Sequence, residues 1–243
     1  MLVLVAALAA FPTAAAEDDG KISVEVFVEA FCPYSQEFVS RALNPALQAE
    51  GVADIVDLTF AQCGHCRPDK TQETGFECQH GADECSANKM IACGVDAAAE
   101  KGPSAVSSYA SCMFSLPKGW MVDPGYTRQC AEAIEVDQDE IFACGTGDDG
   151  SDKLKVHYKL TEKAGVTNPD EKMAVDEDAE EKPKRNPVPW VIVDGTVLED
   201  PLKVRKAICD VQAKRGQSVP SGCNEPPPTS LPDSEPAKNV ETA

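Results

Sequence analysis

Alternating apolar and polar residues predict a β-strand near the start of the chain, followed at once by a helix. The even-numbered positions from Ile22 to Val28 are apolar and most of their neighbours are polar, which is the period of a strand with one buried face. Beyond Pro33, apolar residues recur at helical spacing, and proline suits a first helical turn because its missing N–H has no partner there. Cys32 is therefore predicted to lie between the carboxyl end of a strand and the amino end of a helix.

The remaining pattern predicts a second strand, a long helical stretch, a hairpin and a closing helix. The second strand is expected over residues 54–60, a polar loop over 67–77, helices over 78–144 and 151–165, and a charged surface loop over 168–187. In the helix over 151–165, the candidates for burial are Leu154, Val156, Tyr158 and Leu160. A strand over 188–193 leads through Asp194-Gly195, a dipeptide typical of two-residue hairpin turns, to residues 196–198. The closing helix has Leu202, Val204, Ile208 and Val211 as its apolar side.

The order of these elements indicates an α/β fold. A strand–helix–strand unit forms a right-handed parallel crossover, so the first two strands should end at the same edge of the sheet. Cys63 and Cys66 follow the second strand directly, and they are expected near the edge that carries Cys32. The sequence thus predicts a thioredoxin-like topology with a disulfide-stapled helical insertion.

The ends of the chain differ in composition from the predicted domain. Residues 1–16 are interpreted as a signal peptide, because an apolar run from Leu2 to Phe11 precedes the small residues 14–16. The alternative is a membrane anchor, but the run is too short to span a bilayer. The domain is expected over 17–215, with its helical insertion at about 78–147. Residues 216–243 are rich in Pro and Ser and are predicted to be a disordered tail.

Cysteine content and net charge limit the cellular compartments and the classes of binding partner that fit this sequence. Eleven cysteines behind a signal peptide indicate the secretory pathway and structural disulfides, in a protein that is secreted or endolysosomal. The odd count leaves one free thiol if the other ten pair, although an intermolecular bridge also explains it. A net charge of −19 disfavours nucleic acid and anionic membranes as partners, and no membrane span is predicted.

Cys32 is the predicted nucleophile. At a helix start, the helix dipole and free backbone N–H groups stabilise a thiolate, which can attack a substrate disulfide to form a mixed disulfide. The alternative is a structural half-cystine. Ser35 stands where a Cys-x-x-Cys motif has its second cysteine. Its hydroxyl is expected to hydrogen-bond the thiolate, but it cannot form the intramolecular disulfide that expels a reduced substrate.

Three outcomes are open for a mixed disulfide at Cys32. A substrate thiol or small thiol resolves it, the adduct persists and the protein acts by thiol capture, or another cysteine resolves it. Cys63 and Cys66, within Cys-Gly-His-Cys, are the candidate resolving pair. The alternatives for this pair are a structural disulfide and a metal half-site. We predict no metal, since zinc needs two further ligands and the secretory context favours disulfides.

A second motif carries a family resemblance. Residues 78–93 fit the pattern CQHG-x2-EC-x2-N-x4-C, whose fixed positions are Cys78, Gln79, His80, Gly81, Glu84, Cys85, Asn88 and Cys93. This pattern resembles the signature of the gamma-interferon-inducible lysosomal thiol reductase (GILT) family. The Cys-x-x-Ser helix, the Val-Pro-Trp strand and the later cysteines are also similar to that family, so the resemblance covers roughly residues 21–223.

The resemblance implies an enzyme, a soluble thiol–disulfide oxidoreductase that reduces protein disulfides, often at acidic pH. Its partners would be disulfide-bonded proteins and small thiols, with an external thiol as reductant and no cofactor. The family has Cys-x-x-Cys at its active site, so the role of the second cysteine does not transfer to Ser35. The rival hypothesis is a non-catalytic, disulfide-rich binding protein that lost the resolving cysteine.

The resemblance also bears on residues beyond the nucleophile. It favours a cis peptide at Val188–Pro189, with Pro189 contacting the substrate backbone beside Cys32, whereas sequence alone favours trans. We interpret the signature residues as structural, because their cysteines are best explained as staples. Pairing of the remaining cysteines is open, and a Cys209–Cys223 bridge is the one specific prediction.

Overall fold

The computed structural model describes residues 20–166 and 186–224. The predicted signal peptide, most of the predicted loop over 168–187 and the tail beyond residue 224 lie outside these ranges. The strands are β1 (Ile22–Phe27), β2 (Val56–Ala61), β3 (Arg67–Pro68), β4 (Phe76–Glu77), β5 (Trp190–Val193) and β6 (Thr196–Val197). The helices are α1 (Pro33–Phe38), α2 (Asn44–Gln48), α3 (Ala82–Ala99), α4 (Pro103–Ser115), α5 (Pro124–Glu132), α6 (Gln138–Thr146), α7 (Asp148–Lys163) and α8 (Val204–Lys214).

One sheet with strand order β2-β1-β5-β6 forms the centre of the fold. β1 runs parallel to β2, with Ile22 opposite Val56, so the predicted parallel crossover is confirmed. β5 and β6 pair antiparallel. The predicted hairpin turn between them is also confirmed, because Asp194 and Gly195 both have positive φ angles, 50° and 73°, as a two-residue turn requires.

The apolar alternation of β1 places its side chains in the main core. Ile22, Val24 and Val26 are fully buried, and they belong to the same core as Phe38 and Leu43 from the helical segment that follows. A π-helical turn, Val39–Leu43, joins α1 to α2 and carries part of that apolar face. Burial of these side chains is the main favourable term holding the first helix on the sheet.

Among the described residues between β4 and β5, five helices, α3 to α7, form the helical insertion. Gly145 of α6 packs on Met90 of α3, where a Cβ atom would come within 2.6 Å of the Met90 sulfur. Disulfides join Cys93 to Cys144 and Cys112 to Cys130, linking α3 to α6 and α4 to α5. Within the described ranges, no helix has both the length and the apolar content required to cross a membrane.

Two local predictions are wrong. The expected polar loop over 67–77 contains the short hairpin β3–β4, in which the Arg67 guanidinium lies 2.7 Å from the Glu77 carboxylate. On α7, Leu154 and Tyr158 are buried as predicted, but Val156 is 56% exposed and His157 is buried instead. The expected burial of alternate residues followed a strand period, whereas a helix buries residues three and four apart.

The carboxyl-terminal part of the domain extends further than predicted. The predicted Cys209–Cys223 bridge is confirmed. Gly222 is buried, donates its N–H to Glu50 O at 3.0 Å, and has no room for a Cβ atom against Ala49 and Glu50. The boundary at residue 216 is therefore too early, because the disulfide holds the segment to residue 224 on the domain. Leu202, expected on the apolar side of α8, is exposed in the preceding 3₁₀ turn.

Candidate active site

Cys32 lies at the junction between β1 and α1, where the sequence predicts it. It is the N-cap residue of α1, and Pro33 occupies the first helical position. All eleven cysteines lie in the described ranges, ten of them are paired, and Cys32 is the free one. Its side chain is 5% exposed, and its Sγ lies 3.6 Å from the carbonyl oxygen of Val188. The Val188–Pro189 peptide is cis, as the family resemblance implies.

The loop that carries Cys32 is held through its backbone. Each N–H group from Glu29 to Cys32 donates a hydrogen bond: to Ser35 Oγ at 3.3 Å, Asn88 Oδ1 at 2.9 Å, Glu84 Oε1 at 3.1 Å and Glu29 O at 3.2 Å, in chain order. Buried N–H groups are costly when they lack an acceptor. These four bonds therefore define the position of the Cys32 backbone.

Two of these acceptors belong to the signature motif. Glu84 and Asn88 are both fully buried and lie four residues apart on α3, so they share one helix face. The sequence interpretation of the signature as structural did not include this role. The available signal was the four-residue spacing of Glu84 and Asn88, which places an acid and an amide together on the apolar side of α3.

The other signature residues surround the start of α3. Gly81 has a φ of 92° immediately before the helix, a conformation that favours glycine. His80 donates its backbone N–H to Glu84 Oε2 at 2.7 Å, and the exposed Gln79 pairs through Oε1 with His65 Nδ1 at 2.8 Å. Cys78 and Cys85 are bonded to each other. The signature thus links the helical insertion to the Cys32 loop.

Ser35 has a different partner from the one expected. Its side chain is fully buried, and its oxygen accepts the N–H of Glu29. The expected contact with the Cys32 sulfur is replaced by this backbone bond, because Ser35 faces the interior of the turn while the Cys32 sulfur faces Val188.

Cys63 and Cys66 form a disulfide with each other. Both are fully buried, in an apolar cluster with Phe76, Cys78 and Cys85, whereas Cys32 belongs to a separate cluster with Phe27 and Val188. Gly64, between these two cysteines, packs against Val188 of the Cys32 cluster. The approach is so close that a Cβ atom on Gly64 would collide with Val188. The structure therefore brings this loop beside the Cys32 site while keeping its two sulfurs paired and away from solvent.

Glu29 is a functional candidate that the sequence interpretation missed. It is a fully buried carboxyl group, and its oxygens accept from His65 N at 3.0 Å and from Asn88 Nδ2 at 3.2 Å. Burial, and secondly the charge of the nearby Glu84, raise the pKa of Glu29 from 4.5 to about 8. The available signal was an acidic residue just after the first strand, directly before the apolar residues Ala30 and Phe31.

The raised pKa of Glu29 predicts a specific pH dependence of stability. The folded state holds a proton that the unfolded chain releases near pH 4.5, so this contribution to the free energy of unfolding falls as pH rises from about 4.5 to about 8. We expect Glu29→Gln to remove that fall, measured by urea unfolding across this pH range with the disulfides intact. All other titratable groups are present in both proteins. Parallel wild-type and variant curves would contradict the prediction.

One group of potential metal ligands exists in the described part of the chain. Glu29, Cys66 and Cys78 place their ligand atoms within 4.8 Å of one another. Both sulfurs are in disulfides, and a cysteine binds metal as a thiolate. In this oxidised form the three residues do not constitute a metal site.

A groove of about 360 Å³ adjoins the Cys32 helix. Its lining includes Tyr34, Phe38, Pro189 and Leu202. Its surface is mostly apolar, with the carboxylates Glu37 and Asp200 among the lining residues. The groove gives an extended peptide a place to lie next to the cis proline.

Comparison with known proteins agrees with this arrangement. The family model for gamma interferon inducible lysosomal thiol reductase (GILT) matches residues 23–134. GILT-like protein 1 of Drosophila melanogaster is 27% identical over 153 residues, covering 58% of this chain and 60% of that protein. The gamma-interferon-inducible lysosomal thiol reductase of Mus musculus is 25% identical over 206 residues, covering 84% and 72%. The chain spans only 60 to 64% of the length of three insect relatives.

A solved structure supports the fold. The crystal structure of Chlamydia trachomatis DsbA matches with a TM-score of 0.52 at 16% identity, covering 88% of this chain and all of that chain. The prediction of a thioredoxin-like fold with a disulfide-stapled helical insertion is confirmed. The matched residues contain Cys32, the complete signature motif and the loop contacts between them. Over residues 23–134, this chain is similar to the GILT family.

Proposed function

We propose that this protein is a thiol–disulfide oxidoreductase that reduces or isomerises protein disulfides through Cys32. The observation that carries the proposal is the placement of the one free thiol among eleven cysteines, on a backbone-anchored loop at a helix start. The match of residues 23–134 to the GILT family model supports the same activity. Pro189, next to the sulfur's contact with Val188, would face the substrate backbone.

The reaction needs two exchange steps. In the first, the Cys32 thiolate attacks one sulfur of the substrate disulfide; a bond forms to Cys32, the substrate bond breaks, and the departing sulfur takes up a proton. In the second, a small thiol attacks the mixed disulfide at the substrate sulfur or at Cys32. The small thiol is the net reductant, so no cofactor is required.

Ser35 favours a second candidate function, covalent capture of thiols or disulfides without turnover. Ser35 cannot expel the substrate, and the two cysteines of the nearest loop are already bonded to each other and fully buried. An adduct at Cys32 therefore has no free cysteine within the chain to resolve it, and its lifetime depends on the external thiol concentration.

The five disulfides support a place in the secretory pathway, secreted or endolysosomal. The raised pKa of Glu29 is compatible with an acidic compartment, because the buried carboxyl is then neutral. The apolar groove favours substrates that present apolar side chains beside the disulfide.

The Ser35→Cys variant tests the Cys32 mechanism. The two positions are three residues apart on one helix, so we expect the new thiol to form a disulfide with Cys32 and release the bound substrate. Because an intramolecular thiol acts at a much higher effective concentration, release should be about a hundredfold faster than with millimolar external thiol. Acid quenching and peptide mass spectrometry would follow the Cys32–substrate adduct over time.

The wild-type protein and Ser35→Ala are the matched controls, since both lack the second thiol. A long-lived adduct in both, shortened in Ser35→Cys, supports the proposed chemistry. If Cys32 forms no adduct with any disulfide in any of the three proteins, the non-catalytic scaffold is the correct description.

A further inference from the structure

Two disulfides near the Cys32 loop touch each other. Cys66 Sγ, bonded to Cys63, lies 3.3 Å from Cys78 Sγ, which is bonded to Cys85. We call Cys63–Cys66 and Cys78–Cys85 the paired disulfides. All four residues belong to one buried cluster. A sulfur in contact with the sulfur of another disulfide has the proximity that thiol–disulfide exchange requires.

The polar groups around the contact are suited to proton movement. Glu29 Oε1 lies 3.6 Å from Cys66 Sγ, and Asn88 Nδ2 lies 3.7 Å from Cys66 Sγ and 3.8 Å from Cys78 Sγ. Glu29 is a buried carboxyl whose pKa is raised to about 8, so it exchanges protons near neutral pH. An amide donor beside both sulfurs would stabilise negative charge that develops on them.

We propose that the paired disulfides form a second thiol–disulfide centre, in which a thiol at Cys66 exchanges with the Cys78–Cys85 disulfide by attack on Cys78. This centre operates without Cys32 and is separate from the function proposed above. A small-molecule thiol starts the exchange by attacking Cys63: a mixed disulfide forms there, the Cys63–Cys66 bond breaks, and Cys66 becomes a thiol.

The internal step conserves bonds and electrons. In molecules whose Glu29 is ionised, a fraction that grows as the pH rises toward its pKa of about 8, Cys66 gives its proton to the Glu29 carboxylate and its sulfur attacks Cys78. The Cys66–Cys78 bond forms, the Cys78–Cys85 bond breaks, and Cys85 leaves as a thiolate that takes up one proton. One disulfide and one thiol react in this step, and one disulfide and one thiol are formed; the mixed disulfide at Cys63 is unchanged. A second small thiol then removes the first from Cys63 as an external disulfide, which reduces the centre by two electrons.

Burial makes the internal step distinguishable from simple reduction. All four cysteines are at most 3% exposed, so a small thiol reaches Cys63 only when its loop opens. Once Cys66 is released, its contact with Cys78 is already present in the folded protein. Exchange inside the centre should therefore precede direct attack by solvent thiol on Cys78–Cys85.

The centre also adjoins the Cys32 loop. Glu84, next to Cys85, accepts the N–H of Phe31, and Asn88 accepts the N–H of Ala30. Breaking the Cys78–Cys85 bond releases a constraint at the first turn of the helix that supplies both acceptors.

The experiment uses the Cys32→Ser/Cys63→Ser protein, in which Cys66 is the single unpaired cysteine. After native incubation, the thiols are alkylated briefly, the sample is acidified and disulfide-linked peptides are mapped by mass spectrometry. We expect labelling at Cys66 and Cys85 within about tenfold of each other, together with a Cys66–Cys78 peptide. Labelling at Cys66 alone, with Cys78–Cys85 intact, would overturn the proposal.

The matched control is Cys32→Ser/Cys112→Ser, which leaves Cys130 as a single buried thiol. Cys130 belongs to the main core and not to the buried cluster that holds the paired disulfides, so we expect labelling only at Cys130. If the label also appears at other cysteines in this control, the exchange is general disulfide scrambling and a specific centre is rejected.

A second measurement avoids the Cys63 substitution, in case that variant does not fold. The Cys32→Ser protein is treated with a limiting small thiol and sampled over time. We expect the Cys66–Cys78 peptide and alkylated Cys85 to appear together, before Cys93–Cys144 opens. Joint labelling of Cys63 and Cys66, with no Cys66–Cys78 peptide at any time, would reject the exchange.

Discussion

Replacing Cys32 with Ser should lower disulfide reduction by about a thousandfold or more, the scale of loss seen when a nucleophile is removed. The hydroxyl of serine does not form the mixed disulfide, and the other ten cysteines are paired. The measurement is the initial rate of reduction of a fluorescence-quenched peptide disulfide, with a small thiol as reductant and the uncatalysed rate subtracted.

The control for this loss is a variant that removes two sulfurs elsewhere. Cys209→Ala/Cys223→Ala deletes the disulfide that holds the carboxyl-terminal segment and leaves Cys32 unchanged. We expect it to retain the wild-type rate at a temperature where it is folded. Activity that survives Cys32→Ser would assign catalysis to another cysteine, and the paired disulfides would then be the first candidates.

Removing the Cys93–Cys144 disulfide as a Cys93→Ala/Cys144→Ala pair should cost the folded protein about 4 kcal/mol. The bridge closes a separation of 51 residues, and its loss increases the conformational entropy of the unfolded chain. It also removes a buried cross-link between α3 and α6, at the place where Gly145 packs on Met90. For a domain of this size, the expected decrease in Tm is about 8 to 16 °C.

Calorimetry under non-reducing conditions measures this decrease. Wild-type protein with intact disulfides is the reference, and Cys32 activity measured well below both transitions verifies that the variant is folded. A decrease of less than about 2 °C, which corresponds to under 1 kcal/mol, would mean that helix packing alone holds α6 on α3.

Much of the fold follows from local patterns in the chain. The alternation from Ile22 to Val28 predicts β1, Asp194-Gly195 predicts the hairpin, and Pro33 predicts the start of α1, all of which the structure contains. These features depend on neighbouring residues, so short-range periodicity and turn chemistry are sufficient to predict them. The wrong prediction for Val156 on α7 has the same origin, because alternating apolar residues suggest burial with a strand period, whereas the helix exposes Val156 and buries His157.

Residue chemistry and order along the chain also indicated the candidate nucleophile and the resemblance to the GILT family. A cysteine between a strand and a proline-started helix, an odd cysteine count and the motif over residues 78–93 are all visible without coordinates. The partners of these residues are not visible in the same way. Apart from the predicted Cys209–Cys223 bridge, the cysteine pairing became known only from the folded chain. The same is true of the bond from the Glu29 amide to Ser35, which replaces the expected contact with the Cys32 sulfur.

Only the tertiary structure brought the signature motif to the Cys32 loop. Asn88 accepts a hydrogen bond from Ala30 across 58 residues, and Glu84 accepts from Phe31 across 53. The contact between Cys66 and Cys78 likewise joins two motifs that the sequence presents as separate. Such contacts depend on how the helical insertion packs against the sheet, and packing of distant segments leaves no periodic signal in either one. The sequence by itself determined which residues have side chains suited to thiol–disulfide chemistry. Long-range packing decided which of these residues are in contact.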